Sequence, residues 1–169
     1  MTEKKAAKER IMSDESYCEP EKVEVLIRFD GNKTAMPSYA YASDAGADLC
    51  AAQDFSLAPF ERALVPTGIS LALPHGYVAL IHPRSGLAVK KAVTVLNAPG
   101  TVDAGYRGEI KVPLINLDPK NTVSFKTGDR IAQLVIQRYA KAEFIEAQIL
   151  PGSDRSENGF GSTGLRQIK

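Results

Sequence analysis

The chain has 169 residues, 44% of them hydrophobic and 24% charged, with a formal net charge of +1. That length supports one domain whose core needs neither disulfides nor a structural metal. The near-neutral balance excludes a general basic field for nucleic acid. No apolar run approaches the roughly 18 residues of a membrane helix, and no apolar stretch follows the basic start MTEKKAAKER as a secretory signal requires. The two cysteines, Cys18 and Cys50, make no disulfide framework and read as reduced thiols of a cytosolic protein. In that compartment the glycosylation pattern Asn32-Lys33-Thr34 carries no weight.

Residues 1–22 are polar and charge-mixed, and are expected to form a disordered tail. From there Val23, Val25, Ile27 and Phe29 alternate with polar neighbours, the period of a half-buried strand. Short apolar segments follow over 62–73, 76–82, 93–96, 108–117 and 130–138. The last alternation, Ile145, Ala147 and Ile149 against Glu146 and Gln148, predicts one more strand with the apolar residues inward. Between the segments lie Pro37-Ser38, Leu73-Pro74-His75-Gly76, Asp118-Pro119-Lys120-Asn121 and Thr127-Gly128-Asp129, all of them turn chemistry. No stretch after residue 22 holds a helical period for a dozen residues. Many short strands with Gly/Pro turns predict a sandwich or barrel over 23–150. Residues 151–169 are too weakly apolar to fold alone.

Few chemical signatures stand out before any likeness is considered. His75 and His82 sit by turns without metal-ligand spacing, and there is neither a nucleophile elbow nor a Walker A loop. The run Gly159-Phe160-Gly161-Ser162-Thr163-Gly164 can cradle phosphate through backbone N–H groups and hydroxyls, or be a plain flexible end. The segment 95–110 reads as a long hairpin-like element that gathers Asn97, Asp103, Tyr106 and Arg107 within a few residues. By composition alone it is an exposed turn.

Five segments in order change that weighing. They are Asp44-Ala45-Gly46-Ala47-Asp48-Leu49, Pro83-Arg84-Ser85-Gly86-Leu87-Ala88, the 95–110 element, Gly128-Asp129-Arg130-Ile131-Ala132-Gln133-Leu134, and Arg155-Ser156-Glu157-Asn158-Gly159-Phe160-Gly161-Ser162-Thr163-Gly164. With these motifs the chain resembles the homotrimeric dUTPase family over residues 23–164. The resemblance implies an all-β, distorted jelly-roll-like barrel. It implies a homotrimer in which a C-terminal arm, 151–169, closes over a neighbour's site. It further implies hydrolysis of dUTP to dUMP and pyrophosphate with Mg²⁺, limiting uracil in DNA and supplying dUMP for thymidylate synthesis. The reduced thiols lead to an expected cytoplasmic location, with nuclear or organellar forms left open. No membrane and no stable nucleic-acid partner is expected.

The resemblance also assigns roles. Asp103 is the general base that activates water, the alternative being an Asx-turn cap. Tyr106 lies against the deoxyribose and leaves no room for a 2′-hydroxyl. Asn97 reads uracil beside the backbone of Gly100, Thr101 and Val102, with Gly100 and Gly105 allowing close approach. Lys111 completes that side of the substrate site. Arg84, Ser85 and Gly86 hold phosphate, and Gln133 meets the α-phosphate side. Asp48 holds the water shell of the metal as an outer-shell carboxylate. Asp129 and Arg130 either touch ligand or pair with each other to pin the strand start. Arg155, Phe160, Gly161, Ser162 and Thr163 form the arm's contacts. Ser156 and Asn158 replace two glycines of the family's arm, and Ala92 stands where many relatives have glycine. Two rivals remain: the related dCTP deaminase, for which Glu109 is the nearby candidate base, and a non-catalytic nucleotide-sensing or protein-binding member.

Overall fold

The computed structural model describes residues 20–31 and 35–153. Cys18, the Asn32-Lys33-Thr34 pattern and the arm residues Arg155, Phe160, Gly161, Ser162 and Thr163 lie outside them. Residues up to Tyr139 belong to one unit and those from Ala140 to another.

The first unit is built from short strands. They are β1 (Leu26–Phe29), β2 (Ala47–Cys50), β3 (Phe55–Leu57), β4 (Arg62–Ala72), β5 (Tyr77–His82), β6 (Val93–Val95), β7 (Gly100–Val102), β8 (Glu109–Asn116), β9 (Val123–Phe125) and β10 (Arg130–Arg138). One helix, α1 (Ser85–Lys91), interrupts them. One four-stranded sheet runs β1-β4-β8-β6, a second runs β2-β10-β5-β7, and β3 pairs with β9. All pairings are antiparallel. This is the expected all-β, distorted jelly-roll-like barrel. Every apolar segment expected over 62–138 is a strand.

The alternation read from the sequence sets which side chains go inward. Along β8, Ile110, Val112, Leu114 and Asn116 are buried, while Lys111 between them is exposed. They meet Leu49, Ile131 and Leu134 of the second sheet and Leu57 of β3 in one core. Each fully buried aliphatic side chain of this kind contributes about 1.5–3 kcal/mol through removal from water. Asn116 is the most deeply buried of the polar residues in the described core. Its amide donates to the carbonyls of Leu57, Ala58 and Asn121, and its oxygen accepts from the Asp118 N–H at 2.9 Å. The side chain therefore ties β3 to the turn after β8, and the burial cost is met by hydrogen bonds.

A bulge bends β4 between Pro66 and Ser70, where its pairing with β8 shifts register. Gly68 takes a left-handed φ of 70° there, which glycine adopts without steric cost. Its N–H is taken by the Glu109 carboxylate at 2.9 Å and its carbonyl by the Asp30 N–H at 2.8 Å.

Two expectations change. The strand read over Ile145, Ala147 and Ile149 is not formed: 140–150 is irregular, with Ile145 81% and Ile149 87% exposed. Alternation marks a segment that suits a sheet, but a strand exists only where its N–H and C=O groups find an edge. The 95–110 element is also not a closed hairpin. β6 and β8 pair directly with each other, and β7 between them crosses to pair with β5 in the other sheet.

Candidate functional site

Beside that crossing lies a cavity of about 450 Å³. Ile81 of β5 and Leu64 of β4 form apolar walls, with Ile110 and Pro113 of β8. The polar lining comes from Asn97, Thr101, Asp103, Tyr106, Glu109 and Lys111, with the backbone of Gly100 and Val102. β7 is an edge strand, paired on one side only. The other side of its backbone therefore has donors and acceptors that no strand satisfies. The structure thus brings together Asn97, Gly100, Thr101, Val102, Asp103, Tyr106 and Lys111 of the residues assigned to base, sugar and water handling, while Gly105 does not line the cavity and Phe160 lies outside the described residues.

Asp103 stands apart from the other aspartates. Asp44, Asp54, Asp118 and Asp129 each accept a backbone N–H in a turn, at 2.9, 2.8, 2.8 and 2.8 Å. Asp30 bonds Arg28 and Ser70, and Asp48 is held by two arginines. The Asp103 carboxylate has no partner among the described residues and lies exposed on the cavity wall. It does not cap its own turn, which is closed by the backbone bond from Tyr106 N–H to the Asp103 carbonyl at 3.0 Å. Arg107 reinforces the same turn by donating to the carbonyls of Ala104 and Tyr106. Neither Gly100 nor Gly105 takes a positive φ. Gly100 instead packs beneath Asn97, whose side-chain nitrogen would lie 3.4 Å from any added Cβ. Glu109, the base that a deaminase would require, is committed. It accepts from Gly68 N–H and pairs with Lys111 at 3.4 Å.

Arg84, Ser85, Gly86, Gln133 and Asp48 do not line this cavity. They gather at the junction of β2, β10 and the start of α1. β10 runs between β2 and β5, so Gln133 pairs with Asp48 on one side and His82 on the other. Asp48 is buried, and its two oxygens accept from Arg84 Nε and Arg130 Nη1, each at 3.0 Å. Arg84 also donates to the Arg130 carbonyl at 3.3 Å. Arg130 thus pairs with Asp48 and not with Asp129, which caps the turn at Lys126. Sequence spacing pointed to the neighbour; the strand register supplies the true partner. Ser85 and Gly86 form the exposed first turn of α1.

The donor set does not fit a dedicated cation cage. No group of three His, Cys, Asp or Glu among the described residues can hold a metal, and each Asp48 oxygen already accepts from one arginine. It fits a cation that arrives on phosphate oxygens with its own water. Cys50 has a free thiol that is half-buried, and burial pushes its pKa up. No helix among the described residues is long and apolar enough to cross a membrane.

Fold and cavity together define an all-β protein with a polar-lined cavity where its two sheets are bridged. A family model described as dUTPase matches residues 32–164. The chain is 70% identical over 153 residues to the deoxyuridine 5'-triphosphate nucleotidohydrolase of Bifidobacterium longum subsp. infantis, covering 90% of this chain and 97% of that protein. It is 61% identical over 142 residues to the enzyme of the same name from Thermobifida fusca, covering 84% and 79%. Among solved structures, it is similar to a variant of the Staphylococcus bacteriophage 80alpha dUTPase with dUpNHpp. The TM-score is 0.79 at 26% identity, covering 84% of this chain and 99% of that one. A variant dUTPase from phage phi11 of S. aureus, described with a structural Mg(II) ion, superposes with TM-score 0.69 at 25% identity, covering 75% and 97%. The chain belongs to the dUTPase family.

Proposed function

We propose that this chain is a dUTP diphosphatase, hydrolysing dUTP to dUMP and pyrophosphate with Asp103 as the general base. The observation that carries the assignment is the Asp103 carboxylate. It is the one described aspartate left without a partner, and it faces the cavity that collects the predicted base- and sugar-binding residues. Water is a weak nucleophile, and a carboxylate within hydrogen-bond reach removes its proton as attack proceeds. The water oxygen bonds to the α-phosphorus in line with the leaving group. The bond from that phosphorus to the α–β bridging oxygen breaks, and pyrophosphate leaves with the electron pair. The proton rests on Asp103. Uracil is read by the unpaired edge of β7 and by Asn97, and the Tyr106 ring covers the sugar. Arg84, Ser85, Gly86 and Gln133 serve the phosphates. Guanidinium and N–H donors there favour the transition state, where charge grows on the leaving oxygens. When bound with the triphosphate, Mg²⁺ would supply further neutralisation of that charge. Asp48 would hold the water shell of that ion through the carboxylate lone pairs that Arg84 and Arg130 leave free. In the cell the reaction keeps uracil out of DNA and supplies dUMP for thymidylate synthesis.

The assembly we propose is a homotrimer with shared sites. Two features support it. The phosphate residues do not line the cavity of their own chain. The outer face of β4-β8-β6 carries an apolar patch beside the cavity mouth: Leu64 pairs with Pro113, Ile115 lies beside Thr94, and Leu64 and, just past β6, Leu96 are 62% and 50% exposed. A second copy covers such a face at less cost than water does. Light scattering is expected to report about three times the 18.3 kDa chain mass, and a fully active monomer refutes shared sites. The arm residues Arg155, Phe160, Ser162 and Thr163, with Gly161, are assigned to the phosphates and the uracil face of a neighbour's site. Truncation after Pro151 tests this: a stable trimer with undiminished hydrolysis removes the arm from the site.

The deciding experiment is pyrophosphate release from dUTP, dCTP, dTTP and UTP in parallel, with and without Mg²⁺. Selective release from dUTP is expected. Ammonia release from dCTP, or no turnover of any substrate, overturns the reading.

A further inference from the structure

Tyr106 is a large side chain that is 47% exposed, yet its position on the cavity wall is fixed. Two contacts set it. Its hydroxyl donates to the Glu109 carbonyl at 3.0 Å, so the ring lies back along the chain toward β8. In that pose the ring crosses the residue between them. A Cβ added at Gly108 would fall 2.6 Å from Tyr106 Cζ and 3.1 Å from Cε2, and closer still to the hydroxyl oxygen. Real Cβ atoms do not approach ring atoms so closely. Gly108 is not in the left-handed region, so its φ does not call for glycine. Its lack of a side chain answers to the ring, not to φ.

We propose that Gly108 is a positioning residue for sugar selection: the bare Cα seats the Tyr106 ring against the deoxyribose, and any side chain there lifts the ring and admits a 2′-hydroxyl. This rests on Tyr106 being the sugar gate. The turn beneath the ring is tied by Tyr106 N–H to the Asp103 carbonyl and by Arg107 to Ala104 and Tyr106. An intruding methyl therefore meets a braced backbone and a half-exposed ring, and the ring is what yields. Asp103 and the edge of β7 stay in place, so turnover of dUTP suffers less than discrimination does.

The test compares kcat/KM for dUTP and UTP in the wild type, Gly108→Ala, Tyr106→Ala and the double variant, each as the full chain. Gly108→Ala is expected to cut the dUTP/UTP ratio roughly tenfold or more, the range in which one misfitted group governs selection. In the Tyr106→Ala background the same substitution is expected to change the ratio no further, because the ring through which it acts is gone. A normal ratio in Gly108→Ala beside a lowered one in Tyr106→Ala overturns the inference and leaves the gate standing. A normal ratio in Tyr106→Ala breaks the gate, and the inference with it. An effect of Gly108→Ala that persists without the ring also overturns the inference, because it then acts through the backbone. Should Gly108→Ala fail to fold, Tyr106→Ala is expected to rescue it by removing the clash. A double variant that stays unfolded overturns the inference.

Discussion

The cavity under the 96–108 crossing and the cluster around Asp48 are both rich in polar groups, but they handle them in opposite ways. At the Asp48 cluster every charge is paired: one buried carboxylate, two guanidiniums, and a carbonyl that accepts a further arginine hydrogen bond. On the cavity wall Asp103 has no partner among the described residues, and no described strand lies beside the free edge of β7. The saturated region spends its hydrogen bonds on holding strands together. The open one keeps them for something else. In a fold whose other described aspartates are engaged, unspent capacity marks the chemistry better than the mere presence of charge does.

The contrast can be broken most sharply at Asp103. Asp103→Asn is expected to fold and assemble as the wild type does and to lose roughly 10²-fold or more in kcat. Near-normal turnover in a pyrophosphate-release assay removes Asp103 as the base. Asp48→Asn is the counterpart in the saturated region. It leaves Arg84 and Arg130 without their shared carboxylate, and because both are partly exposed the expected loss is about 2 kcal/mol, below that of a fully buried pair. Chemical denaturation measures it; unchanged stability together with a raised Mg²⁺ requirement places Asp48 with the metal after all. Ala92 gives a smaller effect of the opposite sign. It closes α1 with a left-handed φ of 51°, a position that favours glycine. Ala92→Gly is therefore expected to raise stability by roughly 0.5–1 kcal/mol with no change in kcat. An unchanged or lowered urea midpoint contradicts this.

The smallest effect belongs to Asp54, an exposed carboxylate at the foot of β3. Its pKa is drawn down to about 2 by Lys126, and further by the N–H and hydroxyl of Thr127. A carboxyl whose folded pKa is depressed stabilises the fold fully above its unfolded value and stops doing so as pH falls through the folded one. The stability gap between wild type and Asp54→Asn should thus be present at pH 5, shrink as pH falls, and vanish only below about pH 2. A gap that does not change with pH sinks the assignment.

The sequence announced strands better than it announced partners. Alternation and turn residues placed β4, β5, β6, β8 and β10, because burial of one face imposes a period of two wherever a sheet meets a core. The same alternation over 145–149 predicted a strand that the chain does not form, since no property of a segment declares whether an edge awaits it. Ion pairing shows the same limit. Asp129 and Arg130 are neighbours in sequence, yet Arg130 reaches Asp48 because β10 lies beside β2. Cavity residues were legible through resemblance for Asp103, Tyr106 and Asn97. Leu64, Ile81 and Pro113 were not, since an apolar wall has no chemical signature to separate it from core. Gly108 was passed over for a different reason: its role lies in an atom it lacks, and that shows only once the Tyr106 ring has a position. The left-handed φ of Ala92 was equally hidden, although the glycine of related chains at that place was its one available sign.

The crossing of β7 has a consequence for motion. A loop anchored to one sheet frays alone, and its amides exchange with solvent as fast as it opens. The 96–108 segment leaves one sheet at β6, bonds to the other through Ala79, Leu80 and Ile81, and returns at β8. Releasing it means uncoupling two sheets that share a core. The β7 amides bonded to β5 should therefore exchange at rates close to those of central β10, tracking global unfolding and not local opening. The floor of the cavity would then be among the last parts of the barrel to loosen.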